Sequence, residues 1–135
     1  VYATGGAGGT AVTAFATVDS NRVAAPAGQA RVRLVHLSPT AGAVDVFVTA
    51  PNADLAAATP TLAGVPLRAV SPYLTVPAGT YQVRAVPAGT APAGRAAAVA
   101  LTASLTLASG NARTLVAADN NVGGAPLRVV VLVDQ

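Results

Sequence analysis

His36, Ser38 and Asp45 are the one set of residues in this chain whose types match a Ser/His/Asp triad. In a triad an imidazole accepts the serine proton while a carboxylate fixes the imidazole tautomer. The spacing argues against that chemistry. His36 and Ser38 sit too close on one segment to approach easily in triad geometry. No Gly-x-Ser-x-Gly elbow is present to expose a nucleophile. The expected arrangement is a polar clasp at a hairpin end, with Ser38 or Asp45 binding backbone amides and the imidazole hydrogen-bonded near the core edge. If Leu37 pairs with Ala43, His36 and Asp45 fall on opposite faces; one more loop residue makes them face each other. No catalytic residue is assigned.

Metal chemistry is equally thin. One His and no Cys cannot make a transition-metal cluster. Asp119-Asn120-Asn121 before Gly123-Gly124 offers oxygen ligands but lacks the spaced carboxylates of a calcium loop. A hairpin turn is the expectation there, and no metal or cofactor is assigned. Tyr73 and Tyr81 have the chemistry of a carbohydrate-stacking pair. Such tyrosines are more often core residues whose hydroxyls reach the rim. No Asn-x-Ser/Thr acceptor occurs, so N-glycosylation at that sequon is excluded.

The composition explains why reactive groups are scarce. Charged residues make up 10 % of the 135 and hydrophobic ones 53 %, with no Cys, Lys, Glu, Met or Trp. The core must be built from Val, Leu and Ala. The eight Arg are scattered and no basic cluster with interleaved aromatics appears, so no nucleic-acid partner is expected. Without Cys there is no disulfide, and without Lys no Lys–Asn isopeptide crosslink. Any polymer must therefore rest on packing and backbone hydrogen bonds. No run reaches the roughly 18 apolar residues that span a bilayer. The chain opens on Val1, which suggests signal cleavage, and its Ala/Val/Arg-rich usage suggests a GC-rich prokaryotic genome.

The elements that position these residues read as strands. ARVRLVHL (30–37) and AVDVFVTA (43–50) come first, the latter with Val44, Val46 and Val48 on one face and Asp45, Phe47 and Thr49 on the other. Residues 51–66 read as a loop with a short helical turn at 53–58. LRAV (67–70) and YLTV (73–76) are predicted strands split by Ser71-Pro72, as suits a sheet edge. GTYQVRAV (79–86) and ARTLVAAD (112–119) follow the same period. AAAVALTASLTL (96–107) has helical composition, but its period of two predicts one long strand. PLRVVVLV (126–133), apolar on both faces, predicts a central strand. Pro-Ala-Gly recurs at 26–28, 77–79, 87–89 and 92–94, with Pro at the second and Gly at the fourth position of a type I turn. About seven short strands with turns every 8–12 residues indicate an all-β, immunoglobulin-like antiparallel sandwich.

Three segments carry a family resemblance. ARVRLVHLSPTAGAVDVFV (30–48), SPYLTVPAGTYQVRAVPAG (71–89) and LRVVVLVDQ (127–135) resemble, in order, the signatures of the DUF4397 domain. The resemblance implies a secreted or cell-surface β-sandwich, often in tandem copies, with no established catalytic residues. It covers about 105 residues, which divides the chain into an arm (1–28) and a domain (29–135). The single copy and the arm stand out as departures.

The arm is the place where a special function is expected. Its first nine residues are Gly-rich, and TAVTAFATV (10–18) is a predicted strand. Small residues bury too little to offset their ordering entropy, so an ordered arm must be gripped. It folds back onto its own sheet, adds to an exposed edge or open groove of a neighbouring copy, or is held by a different partner or a crystal contact. The expectation is the second: a secreted, extracellular or cell-surface homopolymer, not an enzyme, with Val12, Phe15 and Val18 as donor anchors and Tyr2 pinning the terminus. The alternative is a monomeric adhesion or carbohydrate-binding module in which Tyr73, Tyr81 and the 51–66 loop contact a glycan or cell surface.

Overall fold

A computed structural model describes residues 2–4, 13–15, 25–119 and 127–134. The strands are β1 (Tyr2–Thr4), β2 (Thr13–Phe15), β3 (Gln29–His36), β4 (Val44–Thr49), β5 (Leu62–Val65), β6 (Leu74–Pro77), β7 (Gly79–Pro87), β8 (Leu101–Leu107), β9 (Ala112–Ala118) and β10 (Arg128–Val133). Eight of them form two four-stranded sheets, ordered β10-β9-β3-β6 and β5-β4-β7-β8. The sheets make an all-β sandwich, as the alternating pattern requires. One pairing, β3 with β9, is parallel.

The core lies between the sheets. Val32 and Leu34 of β3 and Leu115 of β9 meet Val44 and Val46 of β4, Val83 of β7 and Leu105 of β8. Period-two alternation puts these side chains inward and frees their neighbours for the outer faces. The outer face of β4 is covered as well: Phe47 is fully buried with Leu55 of the 51–61 loop and Val86.

Several expectations need correction. β3 and β4 lie in different sheets, so no hairpin joins Leu37 to Ala43. The 51–66 segment contains β5, and its helical turn is only a turn at 55–57. A 3-10 turn lies instead at Pro92–Gly94, where Pro starts the turn. LRAV is not a regular strand: Val70 makes an isolated bridge to Val35. The segment still edges β3, through Arg68 N to His36 O at 2.7 Å and Ser71 N to Leu34 O at 2.9 Å. Ser71 Oγ accepts from Leu34 N, closing the split that Pro72 makes. β8 begins only at Leu101, because residues 95–98 turn over Phe47. Where Pro-Ala-Gly makes turns at 26–28 and 87–89, Pro is the first residue and Gly the third, with Gly28 and Gly89 at φ 77° and 81°. β10, predicted central, is an edge strand.

The arm contributes a separate two-stranded antiparallel ribbon, β1 with β2, in which Tyr2 lies opposite Phe15. Of the predicted 10–18 strand, 13–15 is described; Val12 and Val18 lie outside the described residues.

Candidate functional site

The polar residues singled out by type fall into three separate places. The first is the end of β3. His36 and Ser38 are both fully buried. Ser38 N donates to His36 Nδ1 at 3.3 Å, so the ring proton sits on Nε2, which donates to Gly42 O at 2.7 Å. Ser38 Oγ donates to Asp119 Oδ1 and accepts from Ala41 N at 3.2 Å. Thr40 Oγ1 also donates to Asp119 Oδ1, at 2.9 Å. The imidazole is therefore turned away from the hydroxyl, and the serine proton is held by a carboxylate from β9's end. The group works as a clasp that folds residues 38–42 back across the end of the sandwich.

Asp45 does not join that clasp. It lies on β4 in the other sheet, where Oδ1 accepts from Gly64 N at 2.8 Å and Oδ2 from Gly89 N at 3.3 Å. Gly64 has φ 61°, at the irregular pairing of β4 with β5. The expected binding of backbone amides is made by both Ser38 and Asp45, through separate sets of bonds.

The third place is the outer face of the β3 sheet. Tyr73 OH donates to Asp134 Oδ2 at 2.8 Å, and Thr114 Oγ1 donates to the same oxygen at 2.6 Å. Arg33 Nε donates to Thr114 Oγ1 at 2.8 Å while its guanidinium lies 4.8 Å from the Tyr73 ring centroid. Burial, and then the bond to Asp134, push the Tyr73 hydroxyl up to about 12. Tyr81 stands in the other sheet, packed against the core, and its hydroxyl donates to Pro77 O at 2.7 Å. The two tyrosines are not brought together, and Arg33 covers one Tyr73 ring face. Asp119, Thr114, Asp134 and Arg33 were not foreseen as partners.

Clefts are small. One of about 210 Å³ is lined by Thr40, Ala41, Val44, Pro87, Ala100 and Leu127, below the roughly 300 Å³ at which ligand pockets begin. Among the described residues no three His, Cys, Asp or Glu come together as metal ligands, and no helix is long and apolar enough to cross a membrane.

A comparison with curated proteins gives no match. A family model described as a domain of unknown function, DUF4397, matches residues 1–47 and 48–135. The match takes in the arm, so residues 1–28 are not outside the family's extent. The chain belongs to the DUF4397 family.

Proposed function

We propose that the protein is a non-enzymatic structural subunit of an extracellular filament or surface assembly, polymerising non-covalently by donating its N-terminal segment to a neighbouring subunit. The observation that carries this reading is the separateness of the arm. Among the described residues, β1 and β2 pair with each other and with neither sheet of the sandwich. An isolated two-stranded ribbon is marginal in water, and its outer edges carry backbone groups that a further strand can pair. The donor is then a hairpin rather than a single strand. Head-to-tail repetition of such a contact does not close and grows a fibre. The side-chain chemistry fits the same reading. His36, Ser38 and Asp45 are engaged in holding the fold, and the chain has no Lys or Cys for covalent linkage.

Both four-stranded sheets are built from residue 29 onward, so a chain lacking residues 1–20 retains them. Negative-stain images and light scattering of the full chain should show polymers, and the shortened chain should show none at equal concentration with its circular dichroism unchanged. Identical fibres from the shortened chain would overturn the proposal.

A further inference from the structure

The exposed large hydrophobic residues among the described ones all lie on one strand: Val130, Val131, Leu132 and Val133 are 41, 42, 39 and 72 % exposed. That strand, β10, is the edge of its sheet. The other three edges of the two four-stranded sheets are blunted. β6 is four residues long, with Pro72 just before it and Pro77 at its end. β5 is four residues long and irregularly paired. β8 turns Thr102, Ser104 and Thr106 to solvent. β10 has none of these devices, and natural edges of this kind are templates for another strand.

We infer that β10 is an interaction surface for a second copy of this chain, which pairs there antiparallel about a two-fold axis through Val131. The register follows from hydrogen bonding and charge. Asp134 N donates to Ala112 O at 2.9 Å, and Arg128 stands opposite Ala118. In an antiparallel ladder this directs the backbone groups of Arg128, Val130, Leu132 and Asp134 toward β9 and those of Val129, Val131 and Val133 toward the open edge. Leu127 N is taken by Ala100 O at 2.8 Å, so the open edge starts at Val129.

Centring the pair on Val131 uses all of these outward groups. Val131 exchanges both bonds with its own mate, and Val129 exchanges them with Val133 of the second copy. Val130 then stands beside Leu132 of the second copy. Arg128 stands opposite Asp134 of the second copy, on the same face, so each end of the seam pairs opposite charges. Tyr73 and Thr114 both donate to Oδ2 of Asp134, and Oδ1 is the oxygen that meets the second copy's Arg128. The two sheets become one continuous eight-stranded sheet, in an isologous contact that closes and that needs nothing from the arm.

Single cysteines in this Cys-free chain test the register. In the full chain, Val131→Cys should oxidise to a disulfide-linked dimer, because facing Cα atoms in a hydrogen-bonded pair lie about 5.5 Å apart. Val129→Cys or Val133→Cys alone should not, because each would lie roughly 14 Å from its own mate. Val131→Pro removes a donor that faces away from β9, so the sandwich should keep its melting temperature. Self-association, read by analytical ultracentrifugation against the 13.1 kDa chain mass, should weaken on the order of tenfold or more. A monomer at all concentrations overturns the inference, as does equal crosslinking at all three positions. Loss of association in Val131→Pro without any Val131→Cys crosslink also overturns it, and assigns the edge to the arm or a foreign strand. The chain lacking residues 1–20 should still crosslink at Val131→Cys, which separates this contact from arm donation.

Discussion

Ser38 and Asp119 are hydrogen-bonded partners 81 residues apart in the chain, and Arg33 and Thr114 are bonded at the same separation. The constant offset is the register of the parallel β3–β9 pair, which sets Arg33 beside Thr114 and His36 beside Ala117. One pairing thus builds both the clasp at the sandwich end and the polar cluster on its outer face.

The clasp should behave as a structural unit. Ser38→Ala leaves the half-buried Ala41 amide without its acceptor and should cost about 1 kcal/mol in urea unfolding. Ser38→Ala and Asp119→Ala should cost less together than the sum of their separate effects. A double-mutant cycle should give a coupling of roughly 0.5–3 kcal/mol, whereas additive losses would show that the Ser38–Asp119 bond contributes nothing of its own.

Tyr73 gives the fold an alkaline limit. Its hydroxyl is raised from 10.0 to about 12, by burial first and then by donation to Asp134. A group with a raised folded-state value contributes stability that is full below the unfolded value and lost as pH climbs through the folded one. The melting temperature should therefore fall between pH 10 and about 12. Tyr73→Phe should lose about 1 kcal/mol at neutral pH and show a shallower alkaline decline. Phenolate absorbance should report a tyrosine ionising near pH 12, and Tyr73→Phe should remove it.

Asp45 ties β4 to strand β5 and to the 88–89 turn. Asp45→Ala removes the acceptor for Gly64 N and Gly89 N and should cost about 2 kcal/mol. Gly64→Ala meets open space but a φ of 61°, so about 1 kcal/mol of backbone strain is expected. Hydrogen exchange at residues 62–65 should rise in both variants.

Arg95 pins the 51–61 loop onto the sheet. Its Nη1 donates to Leu55 O at 3.0 Å and Ala58 O at 2.8 Å, and the guanidinium lies 5.1 Å from the Phe47 ring centroid. Arg95→Ala should destabilise by about 3 kcal/mol and speed proteolysis within residues 53–58. Arg95→Lys should recover only part of the loss, because an ammonium cannot match the planar guanidinium's stacking on Phe47.

Much of the sandwich was legible because its code is local. Alternation in 30–37, 79–86 and 112–119 located β3, β7 and β9 to within about a residue, and the two faces of β4 follow from Val44, Val46 and Val48 against Phe47. What was not legible depends on distant chain. Asp119 reads as a turn residue until β9 lies parallel to β3. Asp45 reads as a partner for His36 only while β3 and β4 are taken as a hairpin. β10 reads as central because it is apolar on both faces, and the pattern alone cannot distinguish a buried strand from an uncovered edge. Ala98 and Val99 lie in a segment with a strand's period but are drawn away to cover Phe47, a demand set by the loop opposite.

The parallel β3–β9 pair also dictates an order of assembly. As the polypeptide leaves the ribosome, β3 emerges some 80 residues before its central neighbour, and β6 is the sheet partner that arrives in the meantime. Half-made chains therefore leave the β9-facing edge of β3, from Arg31 to His36, without its ladder partner until translation has passed Ala117. Nascent chains stalled before that point should recruit chaperones that the finished chain does not need.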